Sequence, residues 1–566
     1  MKFLRFGIAV VILSVFQSAQ GYDQHDLGLV KRLGSCPGCD LRGADLSWLD
    51  LRGKRFDSAR LAGARFTSTR LVGAEFVDAE LSGVNLSNKD LSGADFTGAI
   101  LEGVDLTESI LTGANFTRAR LTGATVGKNK IVGANFSFAV LDQIDLSGRD
   151  LRGIHFFGTS VQHASLASAN LSGSNLRHAQ FQWADLSNAN LSGADLRGAN
   201  LSRLDLTGAN VDKAELSGAI LFRAKLGQLD LSEVDFSETN LEGADISGVR
   251  FQRAKLSGAI LRDADLSGKD LSKADFSRAI LIKANLAGAV LTETKFMGSD
   301  LTSADLSGVN LSNKDLDGTI LKNANLSGAN LTGALLSNTT LIGANLQDSN
   351  LAGADFTGKD LSGVDLSGAN LSGAKLSNTD LSGKNLAGVQ LSGVTLTGAN
   401  LDGADLTGKN LSGVDLSGAN LTGVSLSNTA LNDVNLQDSN LAGVNLSGLD
   451  LSGANLSGLD LSKKNLRNTN LARADISGVN FAGADFTGAN LTGAKFDDKV
   501  VIEGGKTLES LKQADGIRRN SDGYCVEDYP HADLVQGCPS LPEHIVKALI
   551  CPASEKKSKS PPCAKT

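Results

Sequence analysis

The sequence predicts an all-β solenoid, a parallel β-helix of four-sided coils, and two counts carry that prediction. Every fifth residue from Leu41 to Phe496 is apolar, without one insertion or deletion: of 92 positions, 70 are Leu, 16 are Phe, and the rest are Val126, Ile131, Val161, Val211, Ile246 and Ile476. A period of five belongs to neither an amphipathic helix nor an alternating strand. The second count sets the number of sides. Eleven of the 16 Phe fall on every fourth repeat, among them Phe56, Phe76, Phe96, Phe116 and Phe136, where an even spread would place one quarter. A 20-residue superperiod gives four pentapeptides per coil and one inner column of Phe rings, and internal repetition this regular marks a solenoid.

Each pentapeptide reads as one side of the coil. With the Leu at its centre the unit is a small residue, a polar residue, Leu, Ser or Thr, and Gly or Asn. Alternation about the centre sends the small residue and the Leu inward and the Asp or Asn outward, so each side is expected to be a very short strand. Gly, Ser and Asn accept turn geometry and positive φ at low cost, so the chain corners after the centre. The repeats make about 23 coils, a rod of roughly 110 Å at ~4.8 Å per coil. One coil cannot stand alone. Four buried Leu at ~1.5 to 3 kcal/mol each do not offset ~1 to 2 kcal/mol for ordering each of 20 residues, so neighbouring coils must supply the balance.

The tandem of Ala, Asp or Asn, and Leu, as in Ala194-Asp195-Leu196 and Ala369-Asn370-Leu371, resembles the pentapeptide-repeat family over about four-fifths of the chain. The resemblance implies a right-handed quadrilateral β-helix. Through the family's fluoroquinolone-resistance members, which occupy the DNA site of gyrase, it also implies that regular carboxylates on such a rod can imitate duplex phosphates.

Nine inward small sites carry a charge: Lys54, Lys89, Arg149, Lys269, Lys314, Lys359, Lys384, Lys409 and Lys464. An unpaired buried cation is too costly, so their stems are expected to pack inward while their heads snorkel to water.

The ends differ from the repeats. Residues 1–21 read as a signal peptide, with Lys2 and Arg5 ahead of an apolar run from Phe6 to Phe16 that is too short to span a bilayer. Residues 22–38 are expected to cap the first coil through Leu27, Leu29, Val30 and Leu33, the β-helix to fill 39–498, and 499–566 to form a small helical, disulfide-containing cap and a flexible tail. Helices are expected over Lys506 to Arg519 and from Pro542 to Ile550. All six cysteines lie at the ends: Cys36 and Cys39 at one, Cys525, Cys538, Cys551 and Cys563 at the other. An even number in an exported chain points to disulfides, Cys36 with Cys39 and three possible pairings among the rest. The Cys-Pro-Gly-Cys run also leaves a redox reading open, without the βαβ context it usually has.

No catalytic constellation emerges, and neither a cofactor nor a metal is expected. His155, His163 and His178 fall close together but on different faces, which reads as surface decoration. A net charge of −8 argues against general nucleic-acid binding. Two surface patterns are candidates. The side following the Phe column places Ile100, Val140, Ile220, Ile260, Ile280 and Ile320 outward, against Ile110 and Val290 opposite, a broken apolar stripe for a protein partner or self-association unless it is only β-propensity. One side further, the outward residue is Asp in 11 of 23 coils, an acidic ladder that includes Asp105, Asp145, Asp185, Asp205, Asp245, Asp265 and Asp305. The expected protein is an exported, periplasmic or extracellular, non-enzymatic structural or protein-binding rod without a membrane span. An acidic nucleic-acid mimic and a redox protein acting through Cys36 and Cys39 are the alternatives.

Overall fold

A computed structural model describes residues 21–127, 131–227, 229–497, 499–503 and 506–507. The chain forms two compact units, Met1–Asp300 and Leu301–Thr566, and both are built from the same coil.

The first side of the first unit shows how five residues make one corner. Ala44 N donates to Leu41 O at 3.0 Å, closing a β-turn. Gly43 in its third position has φ 70°, the left-handed value a type II turn requires. Leu41 N then donates to Arg60 O at 2.8 Å, and Arg60 N to Cys39 O at 2.8 Å, so residues 40 and 60 form a parallel bridge. The same set recurs every five residues, with partners one 20-residue coil away.

The sides are shorter than the strands expected of them. Four of the five residues belong to the turn, so each side contributes a single bridging residue, the outward Asp, Asn or its equivalent. Among the described residues the only strands of more than one residue are β1 (Val501–Glu503) and β2 (Lys506–Thr507), an antiparallel pair. Their position corrects the helix expected to open at Lys506; the rest of that segment, and the helix expected to end near Ile550, lie outside the described residues.

The left-handed corner residue is often not glycine. Thirty-seven non-glycine residues have positive φ, all at the second position after a centre. A β-carbon there strains the backbone by about 1 kcal/mol or more. Gly103 isolates that effect, because its φ is 63° and a β-carbon added to it would meet nothing within 4 Å. Gly103→Val is expected to lower stability by about 1–2 kcal/mol from backbone strain alone, and Gly103→Asn by clearly less. Equal losses in urea denaturation would show that the corner does not impose left-handed geometry.

The core is the centre column plus the small inward column. Except for half-buried Val126 and Phe496, every centre is buried. In the first unit Phe76, Phe96, Phe116 and Phe136 stack face to face with centroids 5.1, 5.0 and 4.7 Å apart. Inward threonine hydroxyls bond to backbone: Thr69 Oγ1 donates to Leu46 O at 2.9 Å in the first unit, and Thr469 Oγ1 to Leu446 O at 2.8 Å in the second.

Several inward lysines follow the same rule, with a carbonyl contact that the snorkelling expectation did not include. All nine are half-buried. The ammonium groups of Lys384, Lys409 and Lys464 donate to the carbonyls of Val364, Val389 and Leu441 at 2.6, 2.8 and 2.6 Å, and Lys359 to Thr339 O at 3.1 Å. Each of these main-chain carbonyls can accept a second hydrogen bond. Burial pushes the ammonium pKa of Lys359, Lys384 and Lys464 down.

Outward residues link successive coils through ion pairs and amide ladders, and both occur in each unit. The first unit begins with ion pairs: Arg60 lies 3.4 Å from Asp40 and 3.9 Å from Glu80, and Arg55 lies 3.2 Å from Glu75. The second uses amide ladders, with Asn420 Nδ2 donating to Asn400 Oδ1 at 2.9 Å and Asn440 Nδ2 to Asn420 Oδ1 at 3.2 Å.

At the N-terminal end lies α1, Gln24–Leu33, capped by Asp23, which accepts from His25 N, and ended by left-handed Gly34. Leu27 and Val30 are buried against the first coil, whereas Leu29 is half-buried and Leu33 exposed, so only half the expected capping set packs inward. Asp23 N bonds to Asp40 O at 2.9 Å and Cys36 N to Arg55 O at 2.8 Å, continuing the coil's hydrogen bonding into the cap.

Candidate functional site

The acidic ladder is built by turn chemistry. In all seven positions, Asp105, Asp145, Asp185, Asp205, Asp245, Asp265 and Asp305, Oδ1 accepts the backbone N–H two residues on, at 2.9 to 3.1 Å. This Asx turn is not confined to one face; Asp50, Asp90 and Asp150 on other sides make it too. Nor are the carboxylates contiguous. Asp185 bridges Asp205 directly and Asp245 and Asp265 stand on successive coils, but Thr125, Ser165, Lys225 and Asn285 interrupt the column of the first unit, and Lys225 lies 3.6 Å from Asp205. Asp305 belongs to the second unit and pairs with Asn325. The hydroxyls of Ser147, Thr207 and Ser267 hold the carboxyls of Asp145, Asp205 and Asp265 below the usual range. A general acid working near neutral pH needs the opposite shift.

The apolar stripe is also interrupted. Ile100 bridges Glu80 and Arg120, Val140 bridges Arg120 and Ser160, and Ile220 bridges Asn200 and Asn240; only Ile260 and Ile280 are apolar neighbours. Ile220 is 38% exposed, and Ile100, Val140, Ile260 and Ile280 are half-buried. Ile320 lies in the second unit, 37% exposed, beside Thr340.

Cys36 and Cys39 are joined as a disulfide, buried beneath α1. The Asp26 carboxylate lies within 4.8 Å of both sulfurs, but Asp26 Oδ2 accepts from Asp40 N at 2.9 Å, and sulfurs bonded to each other offer no thiolate to a metal. Cys525, Cys538, Cys551 and Cys563 lie outside the described residues, as does the segment read as a signal peptide, apart from Gly21.

The sequence reading missed an aromatic cluster. Phe138, Phe157 and His178 form an edge-to-face chain along one corner, with centroids 5.2 and 5.7 Å apart and planes at 83° and 88°. At the next corner His163 stacks flat on Trp183, 5.1 Å away at 3°. Phe138 and Trp183 are each 51% exposed. Both rows stand on left-handed corner residues, Phe138, His163, His178 and Trp183, and glycine makes room for two of the rings. A β-carbon at Gly158 would come within 2.8 Å of the Phe138 ring, and one at Gly198 within 2.5 Å of the His178 ring. Of the histidines read as decoration, His163 and His178 are therefore part of a ring assembly, and His155 is a bridging residue between Asn135 and Asn175. The sequence held one clue: of the five aromatics off the centre frame between residues 41 and 496, three lie from Phe138 to Trp183, as do all three histidines of the repeats.

A family model described as Pentapeptide repeats matches residues 55–88 and 90–126 and, in overlapping segments, 154–498. The chain belongs to the pentapeptide-repeat family. Its fold is therefore the right-handed β-helix of that family, and the 20-residue coil is four repeats of its unit. Solved structures similar to this pentapeptide-repeat protein include HetL, involved in heterocyst differentiation regulation in the cyanobacterium Nostoc, at 26% identity over 54% of this chain and 89% of that one, with a TM-score of 0.09. Another is full-length QnrB1, a plasmid-mediated fluoroquinolone resistance protein, at 20% over 44% and 93%, TM-score 0.12. A third, from the Arabidopsis thaliana thylakoid lumen, is 33% identical over 18% and 65%, TM-score 0.10. No curated protein matches the chain. Among the described residues no helix is long and apolar enough to cross a membrane.

Proposed function

We propose that this pentapeptide-repeat protein is an exported, non-enzymatic scaffold that binds a protein through its outward side chains. The observation that carries the reading is the commitment of its surface carboxylates. Those of the acidic ladder accept the turn N–H and, where they shift, sit below the usual range, which suits a rigid lattice better than acid–base chemistry. The same commitment, and the interleaved Lys225, favour a structural role for the ladder over duplex mimicry. Export is supported by the basic and apolar start of the sequence and by the joined Cys36 and Cys39.

Ile220, Ile260 and Ile280 are the best candidates for the protein-binding face, because two of them are direct neighbours. Cross-linking capture from an envelope fraction is expected to recover a partner with the wild-type chain and to lose it in the triple variant Ile220→Ser, Ile260→Ser, Ile280→Ser. Capture that is indifferent to those substitutions would remove this face from the reading.

A further inference from the structure

We propose that the face between the two aromatic corners, spanning Phe138 to Trp183, binds a polysaccharide strand running along the coil axis. This goes beyond the protein-docking reading and uses different residues.

The ring supply is local. Elsewhere in the described repeats the only off-centre aromatics are Trp48 and Phe222, on coils outside this span. Here one row of rings runs along one corner and a second along the next, so a ligand lying on the intervening side would have a ring surface at both flanks. Exposed rings offer apolar faces, and a pyranose presents a matching face of axial C–H groups.

The side between the rows is polar, as a hydroxyl-rich ligand requires. It presents Val140, Ser160 and Gln180, with Asp142, Gln162 and Gln182 toward the His163 and Trp183 corner. Asp142 Oδ1 accepts from Ser160 Oγ at 2.5 Å and from Gln162 N at 3.0 Å, which fixes the carboxylate. Gln180 Nε2 donates to His178 O at 2.8 Å, and Gln182 Nε2 to Gln180 Oε1 at 3.2 Å, so the two amides are linked.

Spacing and charge point the same way. Phe rings in successive coils of this unit lie 4.7 to 5.1 Å apart, close to the length of one pyranose unit, so a glycan along the axis would meet equivalent groups at each residue. The exposed guanidinium of Arg118 stands one coil before Phe138 in the same corner column, and that of Arg203 one coil after Trp183 in the other. Bases also stack on aromatic rings. Against a nucleic-acid ligand, Asp142 sits between the rows and the whole chain carries −8, both unfavourable to a phosphate backbone. The same charges disfavour a uronate chain, so the ligand that fits is a neutral polysaccharide.

Affinity electrophoresis of the full chain through gels containing a soluble β-glucan, polygalacturonate or poly(dT) tests the inference. The wild type is expected to be retarded by the glucan and not by the uronate or poly(dT). The double variant Phe138→Gly, Trp183→Gly should bind roughly tenfold or more weakly. Both sites have positive φ, so glycine suits the backbone and an unchanged melting temperature can accompany the loss. Trp48→Gly removes a 78% exposed ring on a coil outside this span and should leave mobility unchanged. No retardation by the glucan, retention of binding in the double variant, or retardation by the uronate or poly(dT) alone would each overturn the proposal.

Discussion

Leu366→Asp is expected to split the unfolding of the second unit into two steps. Leu366 is 3% exposed at a coil centre, and its neighbours along the column are Leu346 and Leu386, also buried. Replacing it removes a buried aliphatic side chain and places a carboxyl among Leu side chains with no donor in reach. The two effects together cost about 4 kcal/mol or more. In a globular core that loss would spread over the whole structure. Here Leu346 N bonds to Asp365 O and Asp365 N to Ala344 O, each one coil away, so coupling passes only between adjacent coils. The damage stays local and the flanking coils melt separately. Circular dichroism in urea should show two transitions where the wild-type unit shows one, with early hydrogen exchange around residues 346–386. One sharp transition shifted to lower urea would mean that the coils are coupled beyond nearest neighbours.

The repeat made the core legible because one requirement, an apolar centre, is imposed 92 times in register; no other feature of the chain is sampled so often. The corner was readable in kind, since Gly and Asn mark it. The occupation of the left-handed site by Trp48, Phe138, Glu233 and Arg253 was not, because coil-to-coil hydrogen bonding overrides a local preference worth about 1 kcal/mol. For the inward lysines, the sequence shows that an ammonium needs a partner, but not that Val364 O or Leu441 O, one coil away, supplies one.

The candidate surfaces were legible in reverse order of their coherence. The stripe and the ladder were read by scanning one outward site every 20 residues, and that scan finds composition whether or not neighbours cooperate. The aromatic assembly joins positions with different offsets. Phe138 and Phe157 are 19 residues apart, Phe157 and His178 are 21, and His163 and Trp183 are 20, so contact becomes visible only when the corner is wrapped. Scanning adjacent corner positions together would have found it.

Stability should fall steeply as the pH drops from about 4 toward 2, and the cause lies in the Asx turns. The Arg52 guanidinium beside Asp50 lowers its carboxyl from 3.8 to about 2. Hydroxyls of Ser232, Ser362 and Ser452 hold Asp230, Asp360 and Asp450 below the usual range. A carboxyl with a depressed native pKa binds its proton less tightly folded than unfolded. Its contribution is therefore complete above the unfolded value near 3.8 and is lost as pH falls through the native value. Each site is exposed and contributes little alone, but all push in the same direction. At the alkaline end the buried ammoniums of Lys359, Lys384 and Lys464 have native values below 10.5. The unfolded chain then holds the extra proton, so their penalty eases as pH rises through the native value. If self-repulsion of the −8 charge governed stability instead, partial acidification would strengthen the fold. Urea midpoints at pH 7, 4, 3 and 2.5 decide between them: a plateau followed by a fall supports turn-held carboxylates, and a maximum near pH 4 would refute them.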